Sequence, residues 1–138
     1  MRADARHDAP RRLRVAIAED DDDQRWALEL ALSSEGFEVV SFEDGAELLD
    51  FFELEGARKA DVIIADLNMP GRSGFEGLEH ARARGLTAPI FVVTGENSAE
   101  LRERVARLGN ALFLQKPIDA ARLAEAIYRV ASLNSEPA

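Results

Sequence analysis

Apolar and polar positions along this chain repeat at two different periods. Short apolar runs occur at Leu13–Ala18, Phe37–Phe42, Asp61–Ala65, Pro89–Val93 and Ala111–Leu114. They are rich in β-branched or aromatic residues and as short as strands are, so they predict five strands. The longer stretches between them carry helical spacing. Trp26, Leu28, Leu30, Ala31 and Leu32 precede Gly36, a residue suited to the left-handed position just past a helix. Trp26 is expected to pack on that helix's apolar side. Asp44 is placed to cap a helix holding Ala46, Leu48, Leu49, Phe51 and Phe52 and closed by Gly56. Ser73 precedes Phe75, Leu78 and Ala81, with a stop near Gly85, and Ser98 opens Ala99–Leu108, which Gly109 ends. Asp119 caps Ala120–Leu133, where Leu123, Ala126, Ile127 and Val130 form one i, i+3, i+4, i+7 stripe.

Strict alternation of strand and helix implies a parallel sheet with helices on both faces. The first, third and fourth strands are apolar on successive residues, as strands buried on both faces are. Five units are too few for an eight-stranded barrel, so the fold class is α/β, an open doubly wound five-stranded parallel sheet. Residues 1–12 are polar, with a proline and several arginines, and read as a flexible N-terminal tail. The domain proper spans 13–133, and 134–138 form a short C-terminal tail.

Composition narrows the function classes. The 138 residues suit one domain, and 46% hydrophobic residues support a real core. The absence of cysteine excludes a disulfide scaffold, a thiol nucleophile and a cysteine-ligated metal centre. The two histidines, His7 and His80, leave little for a histidine metal site. The longest apolar runs fall far short of the ~20 residues that span a bilayer, and no signal-peptide core follows Met1. A soluble, cytoplasmic protein without membrane contact is expected. A net charge of -9 disfavours direct nucleic-acid binding.

Ligands of an open α/β sheet bind beyond the carboxyl ends of its strands, so the first polar residues after each run are the informative ones. Strand one is followed by Glu19-Asp20-Asp21-Asp22-Asp23 and strand three by Asp66 and Leu67-Asn68-Met69-Pro70-Gly71. Strand four is followed by Thr94-Gly95 and strand five by Lys116-Pro117. Were the strands ordered 2-1-3-4-5, Asp20 and Asp66 would stand side by side at a strand spacing of about 4.8 Å. Two carboxylates that close do not both ionise unaided. A hard divalent cation relieves the repulsion, and Mg²⁺ suits one or two carboxylates completed by water and phosphate oxygens. Lys116 would lie two strands away, about 10 Å at the backbone, a gap its side chain largely bridges. Carboxylates, a metal, a hydroxyl and a lysine around one point are the equipment of phosphoryl transfer.

With these motifs the chain resembles the receiver domain of two-component response regulators, from about Leu13 to Leu133. The resemblance rests on Glu19-Asp20, on Asp66 through Gly71 with Gly74, on Thr94-Gly95 and on Lys116-Pro117, in that order. It implies the sheet order 2-1-3-4-5 of flavodoxin-like folds. It implies that Asp66 is phosphorylated by a sensor histidine kinase or phosphotransfer protein. Asp20 and Asp66 would hold Mg²⁺ with the backbone carbonyl of Asn68, and Glu19 would act through water. Thr94 would meet the phosphoryl oxygen and Lys116 would pair with the phosphoryl group. Phe113 matches the aromatic that swings inward on activation, changing the surface of the fourth helix, fifth strand and fifth helix. Asn68 and Glu96 occupy the positions that tune dephosphorylation. A cis Lys116–Pro117 bond is implied as well. Glu19 stands where many members have Asp, and Phe113 where Tyr is frequent.

Plainer readings exist for each residue. The acidic run suits a helix N-terminus, with Asp22 or Asp23 a cap or first-turn acid. Thr94 alone is an ordinary strand-end threonine, and Phe113 alone a core aromatic. Asp66 fits a mere turn cap poorly, because it ends a buried apolar strand where an unpaired carboxylate is costly. Lys116 is one of two lysines beside fifteen arginines, a compact ammonium where a guanidinium fork would not fit. His80 reads as a surface or partly packed helix residue. Competing functions also meet obstacles. An FMN carrier places its phosphate loop after strand one, where this chain is acidic. A phosphatase of haloacid dehalogenase type could use Asp20-Asp21-Asp22, but its late paired acids and cap insertion are not seen. The glycine-rich nucleotide fingerprints do not occur. A non-phosphorylated interaction module would not need the intact acid, hydroxyl and lysine set. The expectation is a signalling switch, not a turnover enzyme, monomeric or weakly dimeric, with output through protein contact.

Overall fold

In the computed structural model, which describes residues 12–55, 60–67 and 72–134, strand and helix alternate throughout. The order is β1 (Arg14–Glu19), α1 (Asp22–Ser34), β2 (Glu38–Phe42), α2 (Gly45–Glu55), β3 (Val62–Leu67), α3 (Arg72–Ala83), β4 (Ile90–Thr94), α4 (Ala99–Leu108), β5 (Ala111–Gln115) and α5 (Ala120–Asn134). All strand pairs are parallel, and the sheet order is β2-β1-β3-β4-β5. Among the described residues no helix is long and apolar enough to cross a membrane. Of the expected tails 1–12 and 134–138, residues 1–11 and 135–138 lie outside the described residues, as do Gly56 and Asn68–Gly71, while Asn134 closes α5.

Successive residues of the central strands serve opposite layers, which explains their unbroken apolar runs. Ala16, Ala18, Ile63, Ala65, Ile90 and Val92 pack with Leu48 of α2, Phe75 and Leu78 of α3, and Leu101 and Val105 of α4. Val15, Ile17, Val62, Ile64, Phe91 and Val93 pack with Leu32 of α1 and with Leu123 and Ile127 of α5. Full burial of each large apolar side chain contributes about 1.5–3 kcal/mol. The two layers thus clamp the sheet and fix where its strand ends lie.

Local chemistry sets the helix ends. Asp21 caps α1 by accepting from the Gln24 N–H at 2.9 Å, so Asp22 and Asp23 are first-turn acids rather than the cap. Asp44 accepts from the Glu47 N–H at 2.9 Å, and Ser98 from the Leu101 N–H at 3.1 Å. Gly36 follows α1 at φ 100°, and the Phe37 N–H returns to the Leu32 carbonyl, which delivers a fully buried Phe37 to the start of β2. One expectation fails. Trp26 is 65% exposed and Leu30 55% exposed. The stripe of α1 that faces the sheet is Leu28 and Leu32, and residues two positions earlier point to the opposite side of a helix.

Candidate functional site

Register gathers the four sequence clusters at the carboxyl edge of the sheet. Glu19 lies opposite Asp66, Leu67 opposite Thr94, and Thr94 opposite Gln115. The Lys116 N–H donates to the Thr94 carbonyl at 2.8 Å, which ties the end of β5 to the end of β4. The Lys116–Pro117 peptide bond is cis. One detail differs from the sequence reading. β1 extends through Glu19, so Glu19 and not Asp20 is the cross-strand neighbour of Asp66. Asp20 lies just past the strand and is exposed.

Three polar residues are buried at this edge among the described residues: Glu19, Asp66 and Thr94. Lys116 Nζ approaches Asp66 Oδ1 to 2.6 Å, a close ion pair whose direction falls short of good hydrogen-bond geometry. It also donates to Gln24 Oε1 at 2.9 Å. Glu19 Oε2 accepts from the Asp21 N–H at 2.7 Å. Burial pushes the Glu19 carboxyl up to about 8; the Asp21 N–H opposes this, while the Asp66 and Asp20 side chains reinforce it. Crowded carboxylates of this kind favour a proton or a cation between them.

That crowding is the test for a metal. A hard divalent ion suits Glu19, Asp20 and Asp66 because all offer oxygen donors at one strand edge. Among the described residues no three acidic, histidine or cysteine side chains stand in metal-holding geometry. Mg²⁺ does not require three, since it is held by one or two carboxylates and keeps several waters. The donor set therefore fits. Asn68, the remaining expected ligand, lies outside the described residues.

On the other side of the sheet edge, Thr94 Oγ1 accepts from the Glu96 N–H at 3.1 Å. Phe113 is half-buried against the α2–α4 layer. The Arg102 guanidinium sits over its ring, 4.5 Å from the centroid, while Arg102 Nε donates to Asn97 Oδ1 at 2.7 Å. His80 is exposed on α3, as expected. Gln24 and Arg102 were not singled out in the sequence. Neither belongs to a motif, and each acquires its place only through a partner on another element.

Comparisons with known proteins agree with this geometry. The family model "Response regulator receiver domain" matches residues 15–128, and the chain belongs to that family. It is a receiver domain of two-component response regulators. The transcriptional regulatory protein FixJ of Azorhizobium caulinodans is 35% identical over 118 residues, which cover 86% of this chain and 54% of FixJ. The DNA-binding transcriptional regulator NtrC of Escherichia coli is 31% identical over 105 residues, 76% of this chain and 22% of NtrC. Among solved structures, the chemotaxis protein CheY4 of Vibrio cholerae aligns with a TM-score of 0.74 at 31% identity, covering 87% of this chain and 99% of that one. The chain thus spans between about a fifth and about half of those two regulators.

Proposed function

We propose that the chain is a phosphorylation-dependent switch whose acceptor is Asp66. The observation that carries this reading is the Asp66–Lys116 contact of 2.6 Å at the carboxyl edge of the sheet. The donor is a phosphohistidine on a sensor kinase or phosphotransfer protein. An Asp66 carboxylate oxygen attacks the phosphorus. The new O–P bond forms as the P–N bond breaks, and the imidazole leaves with the bonding pair. Asp20, Asp66 and the Asn68 carbonyl would hold Mg²⁺, with Glu19 acting through water. When bound, the ion supplies positive charge for the transferring oxygens. Lys116 supplies a second cation. The Thr94 oxygen takes its hydrogen bond from the Glu96 N–H, which leaves the hydroxyl hydrogen to donate to a phosphoryl oxygen. Output passes to a protein partner through α4, β5 and α5, with Phe113 at the edge of that face. No turnover of an external substrate is involved.

Incubation with acetyl phosphate and Mg²⁺, followed by intact-mass measurement, tests the reading. One phosphoryl group, labile at alkaline pH, is expected on the parent and none on Asp66→Asn. Equal labelling of the variant at the same residue would rule Asp66 out as the acceptor.

A further inference from the structure

Lys116 reaches Asp66 from beyond β4 on a flexible four-carbon stem, so its ammonium needs an anchor to stay in one place. While Nζ faces Asp66 Oδ1 at 2.6 Å, it donates to Gln24 Oε1 at 2.9 Å, across 92 residues of sequence. Gln24 is itself fixed at its base. Its N–H donates to Asp21 Oδ1 at 2.9 Å, and the Asp21 N–H donates to Glu19 Oε2 at 2.7 Å. Strand alternation explains why these groups meet. Glu19 and Asp66 share parity with Val15, Ile17, Val62 and Ile64, which face α1 and α5. Leu114 belongs to the same layer, and Lys116 continues its parity. The first turn of α1 therefore stands over the side on which the lysine emerges. A path of contacts runs from Glu19 through Asp21, Gln24 and Lys116 to Asp66, the cross-strand neighbour of Glu19.

We propose that Gln24 is a positioning residue for phosphoryl transfer, holding the Lys116 ammonium where the phosphoryl oxygens arrive. This rests on the reading of Asp66 as the acceptor. A neutral amide suits the task. It anchors the cation without adding negative charge, whereas a carboxylate at the same point would anchor the ammonium as well but repel the incoming anionic donor. The Gln24 side chain is exposed, and exposed polar contacts contribute little to stability. Its removal therefore shows in the chemistry rather than in folding.

The experiment measures the initial rate of labelling of the full chain against acetyl phosphate concentration, with Mg²⁺ saturating. Gln24→Met keeps the length of the side chain and removes the acceptor. It should lower the maximum rate about ten- to fifteenfold, the lower end of what one lost hydrogen bond to a charged group costs. The half-saturating donor concentration and the urea unfolding midpoint should stay close to those of the parent. Gln24→Glu restores an acceptor oxygen and adds charge. It should recover the maximum rate while raising the half-saturating concentration of the anionic donor. Unchanged labelling of Gln24→Met would overturn the role of Gln24 alone. So would a loss that tracks the unfolding midpoint, or a loss that Gln24→Glu fails to recover. A parent chain that takes no phosphoryl group would instead overturn the receiver reading, and this inference with it.

Discussion

Asp66 and Glu19 face each other across one strand pair, both nearly closed to water. Burying carboxylates is unfavourable unless a cation or donors compensate. Here the compensation comes from Lys116 on Asp66 and the Asp21 N–H on Glu19. With Asp66 as the proposed acceptor, the lifetime of its phosphoryl group depends on how water reaches the phosphorus. Hydrolysis of an aspartyl phosphate requires water opposite the Asp66 oxygen. Glu96 stands two residues past Thr94, half-exposed, with its backbone held by the Thr94 hydroxyl. A polar side chain there admits and orients water, although its charge repels the phosphoryl group. Lys116 offsets much of that charge, so access governs and a short-lived phosphoryl state is expected. Glu96→Leu should slow decay of the phosphoprotein once acetyl phosphate is removed. A tenfold slowing corresponds to about 1.4 kcal/mol in the barrier. Equal decay of parent and variant would exclude control by Glu96.

Between elements, two close approaches keep the strand ends in place. Gly77 in α3 lies so near Gly45 at the start of α2 that an added Cβ would meet backbone atoms at 2.3–2.5 Å. The obstruction is main chain and cannot swing aside. Replacing a helical glycine by alanine gains about 1 kcal/mol in propensity, whereas overpacking costs about 1–3 kcal/mol. Overpacking wins. Gly77→Ala is expected to lower stability by up to about 2 kcal/mol, read from the urea midpoint, and a stabilised variant would contradict the contact. Arg82 of α3 makes the second approach. Its guanidinium donates to the carbonyls of Leu86, Ala88, Leu108, Gly109 and Asn110, joining the turn before β4 to the turn before β5. The end of α4 distant from Thr94 is thereby tied down, while its start carries Arg102 over Phe113.

The whole molecule is a sheet held between two helical layers, with the site at one edge and a two-helix face beside it. Thr94 and Phe113 both border α4, so a change at Asp66 that draws Thr94 inward would be felt along α4, β5 and α5. Beryllofluoride, a stable stand-in for the phosphoryl group, tests this in amide exchange. With Mg²⁺ present, altered protection is expected within Ser98–Leu133. Changes confined to α1 and α2 would contradict that route of output.

Local periodicity by itself determined the ten elements, because each strand and helix shows its repeat in its own residues. It also marked Asp66, Thr94 and Lys116 as candidate site residues, since the first polar residues after the strands of an open α/β sheet stand at its ligand-binding edge. Alternation did not select the order 2-1-3-4-5; the motif resemblance implied it, and the parallel pairings establish it. Register, helix rotation and long-range contacts belonged to the tertiary structure. Glu19 rather than Asp20 faces Asp66 because β1 pairs one residue beyond its apolar run. Trp26 is exposed because packing selected the other stripe of a helix that is apolar on both sides. Gln24 meets Lys116, Arg102 covers Phe113, and Arg82 gathers carbonyls from two distant turns. The physical reason is common to all of these. A residue's own neighbours decide which element it joins, but the side it shows and the partner it meets depend on how elements slide and rotate against one another, and the sum of packing across both layers sets that.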